Sequence, residues 1–199
     1  MNHPDFFDTV PTITLQDPLS ELLGAASAGI IDYSYTDVVK LAGHSCPTVA
    51  GAYLMTRRAL KQLYGDELPQ RGGIKVQFRD DQANGVTGVI ANVASYITGA
   101  TVDSGFKGLG GRYDRRHLLS FNVPIDGEIR FERVDTGRGV TVSFHAQMVP
   151  GSPDTMPALR NILAGQADDE QRRTFALNWQ DRVRRILENA DHPDLITCS

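Results

Sequence analysis

The stretch that most constrains the fold runs from Cys46 to Gly65. Pro47 suits the first position of a helix, where its missing N–H has no intrahelical partner to lose. Val49, Ala52/Tyr53, Thr56, Leu60 and Leu63/Tyr64 recur at three- and four-residue spacing, with Arg57, Arg58, Lys61 and Gln62 on the other side. Gly65 and Asp66 end the pattern. After Gly72 and Gly73 the period changes to two, and Ile74-Lys75-Val76-Gln77-Phe78 reads as a strand with Ile74, Val76 and Phe78 on one face.

Around this pair the chain alternates without a regular βαβ repeat. Residues 1–16 read as an extended arm with a short strand over Thr12–Leu15. Pro18 opens a short helix to about Ala26, and Thr36 or Asp37 caps another that ends at Gly43. A helix from about Val86 to Ile97, closed by Gly99, is small and apolar nearly all round and is expected to be buried. A strand near Leu118–Val123 precedes a hairpin with arms Glu128–Val134 and Val140–Met148, the second with Val140, Val142, Phe144, Ala146 and Met148 facing the core. Thr155 caps a helix over Met156–Ala164, stopped by Gly165. A long amphipathic helix from about Asp168 carries Phe175, Trp179, Val183, Ile186/Leu187 and Ala190 as its stripe. The expected class is α+β: helices packed on a mainly antiparallel sheet, with a core and N-terminal arm over 1–150 and a helical C-terminal extension over 151–199 packed on that core.

The 199 residues are long enough to bury a real core. A net charge of −4 and no Lys/Arg block argue against nucleic acid as a partner. The local cluster Arg112, Arg115, Arg116 reads as a solvated face or a small-anion contact. No secretory signal is visible, and the longest apolar-leaning run, Leu22–Ile31, is far short of the ~20 residues of a membrane helix. Two cysteines, Cys46 and Cys198, make no disulfide framework, so a cytoplasmic setting is expected. Cys198, one residue from the end, is expected to be frayed.

Chemistry concentrates at Ala42-Gly43-His44-Ser45-Cys46-Pro47. A cysteine at a helix N-terminus faces unpaired N–H groups and the positive end of the helix dipole, which favour thiolate, the form that attacks electrophiles and binds soft metals. His44 supplies a second metal ligand or a proton acceptor. His117 shares the parity of Leu119, Phe121 and Val123, which aims it inward as a core residue or a third ligand. His145 reads as solvent-facing. The loop from Gly105 to Arg112 matches neither the P-loop nor the dinucleotide fingerprint. Its glycines could still expose N–H groups to an anionic cofactor, with Lys107 as counter-charge, although an ordinary tight connection explains them more cheaply. Asp80 and Asp81 read as a solvated loop pair.

Gly43-His44-x-Cys46-Pro47 entering a small-residue helix resembles the FmdE family of formylmethanofuran dehydrogenase subunits. The likeness extends through Ile74–Phe78 to Ile97-Thr98-Gly99-Ala100-Thr101 and the glycine-lysine loop around Lys107, covering roughly residues 35–125. It implies an α+β core that tends to dimerise, a metal, typically zinc, near the histidine and cysteine, and no settled reaction. His44 and Cys46 match the motif. Ala42 replaces its first histidine, Ala100 stands where the family often has cysteine, and no C-terminal Cys-x-x-Cys ribbon follows. A cysteine-cluster zinc site is thereby excluded, and the chain reads as a divergent, bacterial-type member.

Three functions follow as expectations. The first is a homodimeric metal-binding protein, with zinc or another divalent transition metal on His44, Cys46 and His117, acting on or binding a small molecule. The second is a metal-free enzyme with Cys46 as nucleophile and His44 as base. The third is a haem- or cofactor-binding sensor or carrier.

Overall fold

The computed structural model describes residues 3–199, so the first two residues of the expected arm lie outside the described residues. Helix α3 (Pro47–Tyr64) is the central element, with three other helices and part of the sheet packed on it, Cys46 as N-cap and Gly65 as C-cap. Residues 49–56 are buried on every side of the helix, and polar side chains emerge only from Arg57 onward. Strand β8 (Gly139–Phe144) lies under α3, and Gly51 makes that approach possible: a Cβ there would come 2.3 Å from the Phe144 ring. Helix α4 (Thr87–Thr98) packs alongside with Ala91, Val93, Ala94 and Ile97 buried, which is the burial its composition demands. Each fully buried large side chain, such as Tyr53, Met55, Phe78 and Phe131, contributes about 1.5–3 kcal/mol relative to exposure.

The central sheet has the order β6 (Leu119–Ser120), β3 (Ile74–Phe78), β7 (Ile129–Arg133), β8, β9 (Ile196–Cys198). Only β6 and β3 run parallel; the other three pairings are antiparallel, so the α+β class with a mainly antiparallel sheet holds. Three local expectations need correction. The strand over 118–123 shrinks to two residues because His117 (φ 60°) and Asn122 (φ 58°) adopt left-handed backbone on either side of it. The second hairpin arm leaves the ladder after Phe144 into a single turn over Ala146–Met148, which exposes Met148. Cys198 is not frayed: it lies in β9 opposite Val142, and burial pushes its thiol pKa up.

The N-terminal part forms a separate hairpin, β1 (Ile13–Gln16) with β2 (Ile30–Tyr33), bridged by α1 (Pro18–Leu22). Helix α2 (Tyr35–Ala42) follows at once. Its cap is Ser34 rather than Thr36 or Asp37: Ser34 Oγ accepts from Asp37 N at 3.2 Å while Asp37 accepts from Ser34 N at 3.0 Å. A second small hairpin, β4 (Lys107–Leu109) with β5 (Arg112–Asp114), turns through Gly110 and Gly111. The C-terminal residues supply α5 (Thr155–Leu163), α6 (Asp169–Glu188) and the edge strand β9. Asp154, not Thr155, precedes α5 as its cap. Asp168 caps α6 in a box with Gln171, and Val183, Ile186 and Leu187 bury its stripe beside α3. Among the described residues no helix is long and apolar enough to cross a membrane.

Candidate functional site

The His44–Cys46 corner joins α2 to α3. Gly43, at φ 74°, ends α2, and the chain then needs only three residues to start α3. Cys46 is 9% exposed, and its Sγ accepts the Val49 N–H at 3.5 Å. His44 is exposed, with Nδ1 3.0 Å from the Ala42 carbonyl. A carbonyl only accepts, so in the neutral ring Nδ1 carries the proton and Nε2 keeps the lone pair. Ser45 anchors the corner. Its Oγ shares a 2.9 Å hydrogen bond with Tyr35 Oη, and its carbonyl accepts from Trp179 Nε1 (3.1 Å) and Gln180 Nε2 (3.0 Å) of α6. Burial pushes the Tyr35 phenol well up despite that Ser45 contact, so it remains protonated.

A second constellation gathers where the N-terminal hairpin meets the end of α4. Asp17 caps α1 by accepting from Leu19 N and Ser20 N on Oδ1, at 2.9 and 3.2 Å. The same oxygen accepts Arg115 Nη2 at 2.7 Å, and Oδ2 accepts Arg71 Nη1 at 3.0 Å. Arg71 spends its other contacts on the C-terminal carbonyls of α4, with Nε to Ile97 O at 3.2 Å and Nη2 to Tyr96 O at 3.1 Å. Its guanidinium also lies 5.8 Å from the Tyr33 ring centroid. The side chains of Asp17 and Arg115 are each only 5% exposed. Burial alone would raise the Asp17 carboxyl, but the Arg71 hydrogen bond, the Arg115 charge and the Ser20 N–H outweigh it and hold it below the usual range. Burial pulls the Arg115 pKa down, and Asp17 opposes that pull.

The cluster forms one wall of an open cleft of about 440 Å³. Its lining comes from Leu41 at the end of α2, Asn92, Ser95 and Tyr96 of α4, Gly99 and Thr101 after it, and Phe106, Arg71 and Arg115. Backbone bonds hold these segments in register: Thr101 N and Oγ1 donate to Arg115 O at 2.9 and 2.8 Å, and Arg115 N donates to Phe106 O at 2.8 Å. Another groove, about 450 Å³, runs along the outer side of α3, but its Arg57, Arg58 and Lys61 stand with Glu67 and Asp191 and reach water.

The structure separates the residues the sequence grouped. His117 is exposed and outside the strand, because its left-handed backbone breaks the parity that aimed it inward. Among the described residues no three His, Cys, Asp or Glu side chains gather as a metal site. Lys107 stands exposed on the β4–β5 hairpin, whose glycines make the tight turn, and it does not line the cleft. Arg115 is buried rather than solvated, whereas Arg116 pairs with Asp114 at 2.7 Å on the surface. Sequence reasoning passes over Asp17 and Arg71. The one available signal is Asp17-Pro18, a capping carboxylate ahead of a first-turn proline. No family model matches the chain, and no curated protein matches it.

Proposed function

We propose that the protein binds a small molecule in the cleft between α2, α4 and the β4–β5 hairpin, in the manner of a divergent FmdE-like protein. The observation that carries this reading is the cleft's composition: Asn92, Ser95, Thr101 and the two arginines converge among Leu41, Tyr96 and Phe106. A concave site with an apolar body and a few convergent polar groups is how small ligands are held and oriented. The resemblance adds support, since two of the segments that carry it, 97–101 and the loop around Lys107, supply Gly99, Thr101 and Phe106 to the lining. A thermal-shift screen of small acids, bases and neutral compounds tests it. Stabilising compounds are expected, and Ser95→Trp, which projects an indole into the cleft, abolishes their effect. Hits that survive Ser95→Trp would place the ligand elsewhere and overturn the reading.

A second reading rests on the tautomer of His44. With Nδ1–H committed to Ala42 O, Nε2 presents its lone pair as a histidine does when it ligates a metal. His44 and Cys46 are side chains of the types that zinc or a similar soft divalent ion takes, and would be two of four ligands, with a second copy of the chain or water supplying the rest. Bound there, the metal would act as a Lewis acid; the chain's own part is to hold Sγ on the helix N-terminus. About one metal per chain or per dimer is expected by elemental analysis, lost in Cys46→Ala. Metal-free protein from chelator-free purification overturns this reading and leaves the cleft untouched.

A further inference from the structure

Resting on the cleft reading above, we infer that the ligand carries an oxyanion, as a carboxylate or a phosphate monoester, which Arg71 and Arg115 hold. The charge count gives the first reason. Two guanidiniums face one carboxylate, and Arg115, 5% exposed, is shielded from the water that would otherwise stabilise it. The hydrogen bonds give the second. Asp17 already takes four donors: Oδ1 accepts Arg115 Nη2 and two backbone N–H groups, and Oδ2 accepts Arg71 Nη1. Among the described residues, Arg115 Nε and Nη1 are therefore left buried without a partner. Buried donors are nearly always satisfied, so two on one side chain lining a cleft call for an acceptor. Of the two, Nη1 lies on the Gly99 side of the cleft, where an oxygen of an anion would accept a charge-assisted hydrogen bond from it.

The backbone makes room for these guanidiniums. A Cβ on Gly99, which lines the cleft, would sit 3.1 Å from Arg71 Nη1 and 3.3 Å from Arg115 Nη1. A Cβ on Gly72 would come 1.5 Å from Arg115 Nη1. Both glycines have positive φ, +78° at Gly72 and +74° at Gly99, so each supplies a turn and a gap together. The remaining polar lining, Asn92, Ser95 and Thr101, is neutral, and among the described residues no carboxylate side chain lines the cleft. An anion entering from the cleft side meets repulsion from Asp17 and from the carbonyl end of α4, both of which already face the arginines. Leu41, Tyr96 and Phe106 then receive the apolar part of the ligand.

Isothermal titration with benzoate, phenyl phosphate and inorganic phosphate, against benzamide as the uncharged match, tests the inference. At least one of the two aromatic anions is expected to bind about tenfold or more tightly than benzamide, as a charge-assisted contact would give. Preference for benzoate or for phenyl phosphate separates a carboxylate from a phosphate ligand. Arg115→Met is expected to remove the preference. The double variant Asp17→Asn/Arg115→Met, which leaves no unpaired carboxylate, is the control in case the single variant unfolds. Asp17→Asn alone keeps the helix cap and takes away the one negative charge, so anion affinity rises about tenfold where the fold persists. Benzamide binding as tightly as the anions overturns the oxyanion inference and leaves the cleft reading standing. Anion binding that Arg115→Met and the double variant do not alter places it at another site and also overturns the inference. An absence of binding by every charged and neutral probe overturns both.

Discussion

The His44–Cys46 corner and the Asp17–Arg71–Arg115 cluster are built in opposite ways. The corner is local. Its residues lie within three positions of one another, and α6 reaches back to pin it through Ser45. The cluster is assembled from residues 54 and 98 positions apart from Asp17, each delivered by a different connection. The corner accordingly looks like a site in the sequence and holds two candidate ligands in the structure. The cluster shows in the sequence only through Arg115 and holds the most buried charges among the described residues. Adjacency in the chain marks reactive residue types; burial of mismatched charge marks where a ligand is needed.

The largest expected effect tests the cluster's side of that contrast. Asp17→Ala leaves two guanidiniums facing each other and removes the α1 cap, so urea denaturation should show a loss of about 3–5 kcal/mol. Cys46→Ala, in the corner, removes only a weak sulfur acceptor and a small buried volume and should cost about 1–2 kcal/mol. Equal losses would dissolve the distinction. The pH dependence sharpens it. The Asp17 carboxyl is held below its ordinary value in the folded protein, so the unfolded chain takes up the proton first as pH falls. Its stabilising share is therefore full above about pH 4–5 and is lost as pH drops through the lower folded value. The gap in urea midpoint between the parent and Asp17→Asn should stay constant from pH 7 to about 5 and narrow below about 4. A gap that does not change with pH would mean that the Asp17 carboxyl has the same pKa folded and unfolded, so that the two arginines do not favour its charged form.

What is legible in the sequence follows the same division. Helix α3 from Cys46 to Gly65, the strand Ile74–Phe78 and the closure of α4 at Gly99 are readable because period, proline and glycine act within a few residues. His117 escapes that reading because parity assumes unbroken extended backbone, and a left-handed residue just before the strand cancels it. Met148 escapes it for a related reason, since the ladder stops four residues earlier. Ser34 displaces Thr36 and Asp37 as the α2 cap because Asp37 is the third-position partner of that very cap. Of the cleft, Arg115 is visible through its arginine cluster. Its burial is not, because only the fold brings Asp17 and Gly72 against it.

A smaller effect separates stability from binding within the cluster. Gly99→Ala forces a side chain onto φ 74° and crowds Arg71, which should cost about 1–2 kcal/mol. It should also weaken benzoate or phenyl phosphate binding by about fivefold or more, because the added methyl covers the guanidinium edges from the cleft side. Stability lost with affinity unchanged would mean that the anion does not approach past Gly99.

The smallest effect belongs to the corner. Trp179→Phe deletes one of two donors to Ser45 O and leaves Gln180 in place at 3.0 Å, with an aromatic ring still beside Phe175. The loss, followed by far-UV circular dichroism because the only tryptophan is gone, should be about 0.5–1.5 kcal/mol. Anion affinity in the cleft should stay within about twofold of the parent, since sites without shared partners add independently. If Trp179→Phe instead weakened anion binding as strongly as Gly99→Ala, α6 would be reaching the cleft through Ser45 and α2. The corner and the cluster would then be two ends of one coupled site.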